Sequence, residues 1–134
     1  MGGRVVVDAQ PLVALIAGEP CAGRVQSRLA DVAASGDLLV SAVNWCEVAY
    51  MARRRAGEHM AARVVAMLES VPISVVAVDA DIAGFAAAVK AAHGLGLGDA
   101  FAAGLAIALD APLLTGDRDF LPLRESGLQV EWLG

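Results

Sequence analysis

Four acidic residues stand where a chain could use them for chemistry. Asp8 closes Val5-Val6-Val7, Glu47 lies inside Ser41-Ala-Val-Asn44-Trp-Cys-Glu47-Val, Asp99 follows Gly98 ahead of an apolar stretch, and Asp117 leaves Leu113-Leu114-Thr115-Gly116. Carboxylates brought within a few ångströms of one another raise each other's pKa and resist common ionisation. A divalent cation removes that conflict. With carboxylate oxygens as the ligands, and no His or Cys at metal-ligand spacing among them, the cation suited to the set is hard, Mg²⁺ or Mn²⁺, keeping waters for a substrate. Each acid also has an ordinary reading. Asp8 can begin the turn ahead of Pro11, Asp99 can serve as a helix N-cap, and Asp117 and Asp119 can be turn and cap residues. Glu47 resists that treatment, because Val43, Cys46, Glu47 and Tyr50 recur at i, i+3, i+4 and i+7 and place the acid on the stripe expected to face inward.

The elements decide whether the acids can meet. Arg4-Val-Val-Val-Asp8 reads as a buried parallel strand, and a helix with Pro11 in its first turn carries Leu12, Leu15 and Ile16 to a stop near Gly18. A second helix spans about 22–34, with Val25, Leu29 and Val32 at helical spacing, and 38–41 is a second strand. A third helix begins near Asn44 and breaks at Gly57; its continuation over about 58–69 turns Val64, Val65 and Leu68 inward. Residues 73–78 form a third strand by β-branching, at an edge if Pro72 decides, and Asp79 or Asp81 caps a helix with Ile82, Phe85, Ala86 and Val89 inward. Residues 100–109 carry no polar side chain and predict a buried helix with Asp99 at its N-terminus. Strand 113–115, a short helical turn near 120–124 and a last strand over 128–132 complete the order. Strands alternating with helices imply an α/β fold with a mostly parallel sheet flanked by helices, in one domain over 1–134. Right-handed crossovers bring the carboxyl ends of such strands to one edge, where Asp8 and Asp117 can converge.

Composition narrows the function classes. The chain is 57% hydrophobic with mean hydropathy +0.61, but its longest apolar run ends at Asp110 after about ten residues, short of the roughly 18–20 that a spanning helix needs. No membrane span and no secretory signal is expected, which points to the cytoplasm. The net charge of −5 argues against binding nucleic acid through a broad basic face, while leaving room for a local one at Arg53-Arg54-Arg55 or Arg118. Cys21 and Cys46 lack metal-ligand spacing and are expected to be small buried hydrophobes; His59 and His93 are read as non-catalytic.

At Val5-Val-Val-Asp8, the segment around Asn44 and Glu47, Gly98-Asp99-Ala100 and Leu113-Leu-Thr115-Gly-Asp117-Arg-Asp-Phe120, the sequence resembles the PIN-domain family, and within it the VapC-type toxin ribonucleases of toxin-antitoxin pairs. The resemblance spans nearly the whole chain. It implies metal-assisted hydrolysis of RNA phosphodiesters, with Asp8, Glu47, Asp99 and Asp117 binding Mg²⁺ or Mn²⁺ and Thr115 and Asn44 supporting them. It implies Asp117 as the fourth acid, with Asp119 as a supporting charge, and Arg53, Arg54, Arg55 and Arg118 as RNA contacts. A cognate antitoxin and a homodimer are the implied partners. Gln10 departs from the Ser or Thr often found two residues after the first acid in such toxins, which puts a local hydroxyl contact in doubt. The competing readings are a binding module that has lost catalysis and, less in keeping with Gln10 where a second acid is needed, an aspartyl-phosphate hydrolase of the haloacid-dehalogenase type.

Overall fold

Val5, Val6 and Val7 sit at the centre of a five-stranded sheet, and their alternation sends side chains into two separate cores. The structure, a computed structural model, describes residues 3–69 and 71–133. In it β1 (Arg4–Val7) is flanked by β2 (Asp37–Ser41) and β4 (Leu113–Thr115), with β3 (Ile73–Val76) and β5 (Val130–Trp132) outside them, in the order β3-β2-β1-β4-β5. Every pairing is parallel. The expected mostly parallel sheet is thus wholly parallel among the described residues, and its interior strands, covered on both faces, are the apolar ones.

One face is packed by α1 (Ala9–Ala17) and α2 (Ala22–Ser35), which bury Leu12, Val25, Leu29 and Val32 against Val5, Val7 and Leu114. The other is packed by α4 (Ala80–His93) and α5 (Leu97–Ala108), which join Val6, Leu113, Phe120 and Leu123. The two helices approach closely at Gly104, where a Cβ would run into the backbone of Ala86. Asp79 is the residue that caps α4, its carboxylate accepting from the Ile82 N–H at 2.9 Å. Among the described residues no single helix is long and apolar enough to cross a membrane.

The third helix, α3 (Ala42–Glu69), bends at Gly57, whose φ of 76° a residue with a side chain rarely adopts. Its inward face differs from the expected one. Cys46 and Tyr50 are exposed, and ahead of Gly57 the row Asn44, Val48 and Ala52 is fully buried, one step round the helix from the predicted stripe. A stripe defined by its own spacing has no sheet to refer to, so an adjacent row with Ala and Asn can be the one that packs. Leu68 is buried and Val65 half-buried as expected; the side chain of Val64 lies outside the described residues.

Phe85, expected inward, is 43% exposed, because Ile82, Ala86 and Val89 already fill the contact with α5. Cys21 is half-buried and neither cysteine is a core residue. The apolar helix starts at Leu97, with Gly96 as N-cap, so Asp99 lies within its first turn and is not its cap. The turn after β4 is a 3-10 helix over Arg118–Ser126, where Pro122 forbids a regular α-helical hydrogen bond.

Candidate active site

The carboxyl edge of the sheet opens into a cavity of about 270 Å³ lined by Asp8, Ala9, Gln10, Val13, Glu19, Glu47, Met51, Asp99 and Asp117. Four separate elements deliver the four expected acids. Asp8 follows β1, Glu47 comes from the second turn of α3, Asp99 from the first turn of α5, and Asp117 from the turn after β4. Asp8 and Asp117 meet because β1 and β4 are neighbours in the sheet.

Asp8, Glu47 and Asp117 are each held by specific hydrogen bonds. Thr115, fully buried, donates its hydroxyl to Asp8 Oδ2 at 3.0 Å and accepts from the Asp117 N–H at 3.0 Å, joining the two turns through one oxygen. Gln10 joins them a second time, its Oε1 accepting from the Gly116 N–H at 2.9 Å. Asn44, fully buried, donates its amide to Glu47 Oε1 at 2.8 Å and to the Gly98 carbonyl at 3.0 Å, which ties α3 to the start of α5. The amide is itself oriented by Ser41, whose Oγ donates to Asn44 Oδ1 and accepts from the Asn44 N–H at the head of α3. Asp117 also fulfils its ordinary reading, accepting from the Asp119 N–H at 2.9 Å as cap of the 3-10 helix.

Asp117 lines the cavity and Asp119 does not, although Asp119 is close enough for its charge to act on Asp99. Burial, reinforced by the charge of Asp99, pushes Asp8 up to about 7, against the opposing hydrogen bond from Thr115. Burial and the charges of Asp117, Glu47 and Asp119 push Asp99 up to about 6. The wall holds five carboxylates, counting Glu19, and no Lys, Arg or His. Negative charge gathered without a counter-charge is what a hard cation relieves, so the donor set fits one. Among the described residues no group of three or more His, Cys, Asp or Glu side chains is placed to hold a metal ion by itself. Mg²⁺ does not require such a group, since it keeps several waters and takes only one or two carboxylates directly.

Over residues 5–125 the sequence matches the family described as PIN domain. The chain belongs to the PIN domain family. Among its PIN-domain relatives, Ribonuclease VapC30 of Mycobacterium tuberculosis (strain ATCC 25618 / H37Rv) is 35% identical over 123 residues, covering 87% of this chain and 92% of the relative. VapC ribonuclease Mb0640 of Mycobacterium bovis matches to the same extent, 35% over 123 residues with 87% and 92% covered. In fold the chain is similar to VapBC2 of Rickettsia felis, solved bound to a DNA fragment from its promoter, with a TM-score of 0.81 at 17% identity over 96% of this chain and 97% of that one. It is similar also to DNA-bound VapBC of Salmonella typhimurium, with a TM-score of 0.78 at 19% identity over the full length of both. At such identities the likeness is one of fold. The haloacid-dehalogenase reading falls with the PIN-domain assignment, and Gln10, where that chemistry needs an acid, serves as a tie between turns.

The predicted RNA contacts lie off the cavity wall. Arg53 pairs with Glu58 at 3.4 Å, Arg54 donates to the Tyr50 hydroxyl at 2.9 Å, and Arg55 is exposed beside them on α3. Arg118 stands over the Trp132 ring, 5.3 Å from its centroid. Glu19 and Met51 line the site without having been singled out in the sequence. Glu19 arrives because Gly18 turns left-handed and returns the chain over α1, with the Glu19 N–H on the Ala14 carbonyl, and no spacing rule reads that reversal.

Gly98 is required by Glu47. A Cβ built there would overlap the Glu47 carboxyl group, which is the movable end of its side chain. Gly98→Ala should therefore expel Glu47 from the cavity while leaving the fold intact, since Ala is the better helix former. The expected result is a loss of activity of about 10–100-fold with an unchanged or slightly raised melting temperature. Equal activity of variant and wild type would remove Glu47 from the site.

Proposed function

We propose that this protein is a divalent-metal-dependent endoribonuclease, the toxin of a toxin-antitoxin pair. The observation that carries the reading is the cavity in which Asp8, Glu47, Asp99 and Asp117 gather with no basic group on the wall, in a chain 35% identical to a named ribonuclease of the VapC kind. Asp8 and Asp99, the two acids raised by burial and by neighbouring carboxylates, are the foremost ligands for Mg²⁺ or Mn²⁺, with Glu47 and Asp117 completing the set. When bound, the ion supplies Lewis-acid polarisation of the phosphate and a water of lowered pKa.

The rest is done by the chain. Thr115 holds one oxygen of Asp8 and leaves the other for the ion, and Asn44 fixes Glu47 in the same way. Asp119 adds negative charge behind Asp99. RNA is held from outside the acidic centre, by Arg118 and by the Arg53, Arg54 and Arg55 face of α3. Tyr50, Val75, Phe85 and Leu97 are exposed apolar side chains that a cognate antitoxin and a second copy of this chain would bury. The reading places the activity in the cytoplasm.

Thr115→Val keeps the shape and removes the hydroxyl, leaving Asp8 and the Asp117 N–H without their common partner. Activity should fall about 10–100-fold, with a parallel loss of metal affinity by titration. An unchanged metal affinity would make Thr115 a packing residue only.

The deciding experiment is incubation of total cellular RNA with purified protein and Mn²⁺ or Mg²⁺, beside Asp99→Asn. Discrete products that require metal and vanish in the variant are expected. Equal cleavage by both proteins would overturn the site. Absence of both cleavage and Mn²⁺-dependent stabilisation would leave the non-catalytic binding module.

A further inference from the structure

Trp132, one of two tryptophans in the chain, ends β5 with 39% of its surface exposed. Its place in the sheet relates it to the acids. Trp132 is the register partner of Thr115, and the ladder continues beyond it through the Leu133 N–H donating to the Thr115 carbonyl at 2.8 Å. Paired residues of adjacent strands project to the same face. Val130 and Leu113 of the same two strands meet the α4 and α5 core on that face, whereas Glu131 points the other way and pairs with Arg28 of α2 at 2.5 Å. Asp8, Thr115 and Trp132 therefore form a row across the carboxyl ends of the adjacent strands β1, β4 and β5. Two strand spacings, about 10 Å, separate its ends.

The aromatic ring does not stand alone. The Arg118 guanidinium lies 5.3 Å from its centroid, and Arg118 directly follows Asp117 of the cavity wall. Arg28 is neutralised by Glu131 and Arg53 faces Glu58, but Arg118 makes no ion pair among the described residues. A ring orients a guanidinium without cancelling its charge. The combination of a partly exposed indole and a flat cation without an ion pair is what a single-stranded nucleic acid uses, the base stacking and the backbone meeting the charge.

We propose that Trp132 and Arg118 form a docking site for one nucleobase of a single-stranded RNA, beside the cavity, so that the nucleotide stacked there leads its neighbouring phosphate to Asp8 and Asp99. The inference rests on the ribonuclease reading and adds to it a position at which the substrate is gripped by its base. An acidic wall repels phosphate, so a grip outside the wall that does not depend on phosphate alone explains how RNA reaches it.

The test compares two probes in EDTA, a single-stranded RNA octamer of mixed sequence and an octamer of the same backbone without bases. Wild type should bind the first about tenfold more tightly, the size of one stacking contact. Trp132→Ala should bring the two affinities together, Trp132→Phe should keep most of the difference, and Arg118→Gln should weaken both probes. Should Trp132→Ala fail to fold, Trp45→Phe decides, because Trp132 is then the sole tryptophan and its emission should be quenched by the octamer and not by the abasic strand. If Trp132→Ala retains the full difference while the protein still cuts RNA with Mn²⁺, the base docks elsewhere and the ribonuclease reading stands. If wild type neither binds nor cuts RNA, that reading fails and this site with it, and the ring is then free to serve a protein partner.

Discussion

Asp8→Asn should abolish RNA cleavage and at the same time stabilise the metal-free protein. The two effects have one origin. Asp8 is 2% exposed, and its carboxylate is held in that position with Asp99 nearby, so its ionised form is disfavoured until a cation arrives. Asparagine keeps the shape and an oxygen to accept from the Thr115 hydroxyl, but carries no charge to desolvate. Losing one of the carboxylates that hold the ion should cost on the order of 10³-fold in rate, since the ion's contribution is several kcal/mol. The melting temperature at pH 8 in EDTA should rise by several degrees, corresponding to roughly 1–3 kcal/mol. Cleavage assays and thermal melts on the same preparation check both halves. A variant that loses activity and also stability would show Asp8 to be a structural residue whose charge the fold needs.

The second large effect is a dependence of stability on pH that reverses the ordinary one. A carboxylate at about 7 in the folded protein, against about 4 unfolded, means that the folded state binds the proton more tightly, so stability falls as pH rises between those values. Above about 7 the loss is complete. For Asp8 the displacement is worth about 4 kcal/mol at most, and Asp99, half-exposed and raised to about 6, adds a smaller and screened amount. Metal-free protein should therefore melt roughly 10 °C higher near pH 5 than near pH 8. Mn²⁺ should act oppositely, since it binds the ionised acids and must compete with protons below pH 6. At about a hundred times its dissociation constant it should restore about 3 kcal/mol at pH 8 and little at pH 5. Metal-dependent cleavage should rise with pH through 6–7 for the same reason. A flat melting profile in EDTA would show that burial and neighbouring charge do not raise the two acids, and would remove the main physical ground for a cation at the site.

The site is unevenly readable in the chain, and particular residues show why. Asp8 could be placed because a run of three valines ending in an acid defines both a buried strand and its carboxyl end. Asp99 could be placed because glycine and an uninterrupted apolar stretch mark a buried helix start, even though the helix begins two residues earlier, at Leu97. The helical stripe that marks Glu47 as inward matches the structure only in part. Glu47 faces the cavity and not the core, while Cys46 and Tyr50, its supposed companions, are in solvent. The choice between Asp117 and Asp119 had no local answer, because both acids take part in the same cap.

What the amino-acid order determined by itself is the succession of strands and helices, the parallel sheet, the break at Gly57, a cap on α4 from either Asp79 or Asp81, and the acids that had to lie near strand ends or helix starts. These follow from interactions within a few residues: branching, apolar periodicity, capping and the glycine conformation. Only the tertiary structure decided which face of α3 packs, that Glu19 and Met51 join the wall, that Gln10 and Thr115 knot two distant turns, that Gly98 makes room for Glu47, and that Trp132 lies in line with Asp8. Each of those depends on groups up to about a hundred positions apart in the chain, such as Asp8 and Thr115 with a separation of 107, and local propensity holds no information about such pairs until the sheet sets its strand order.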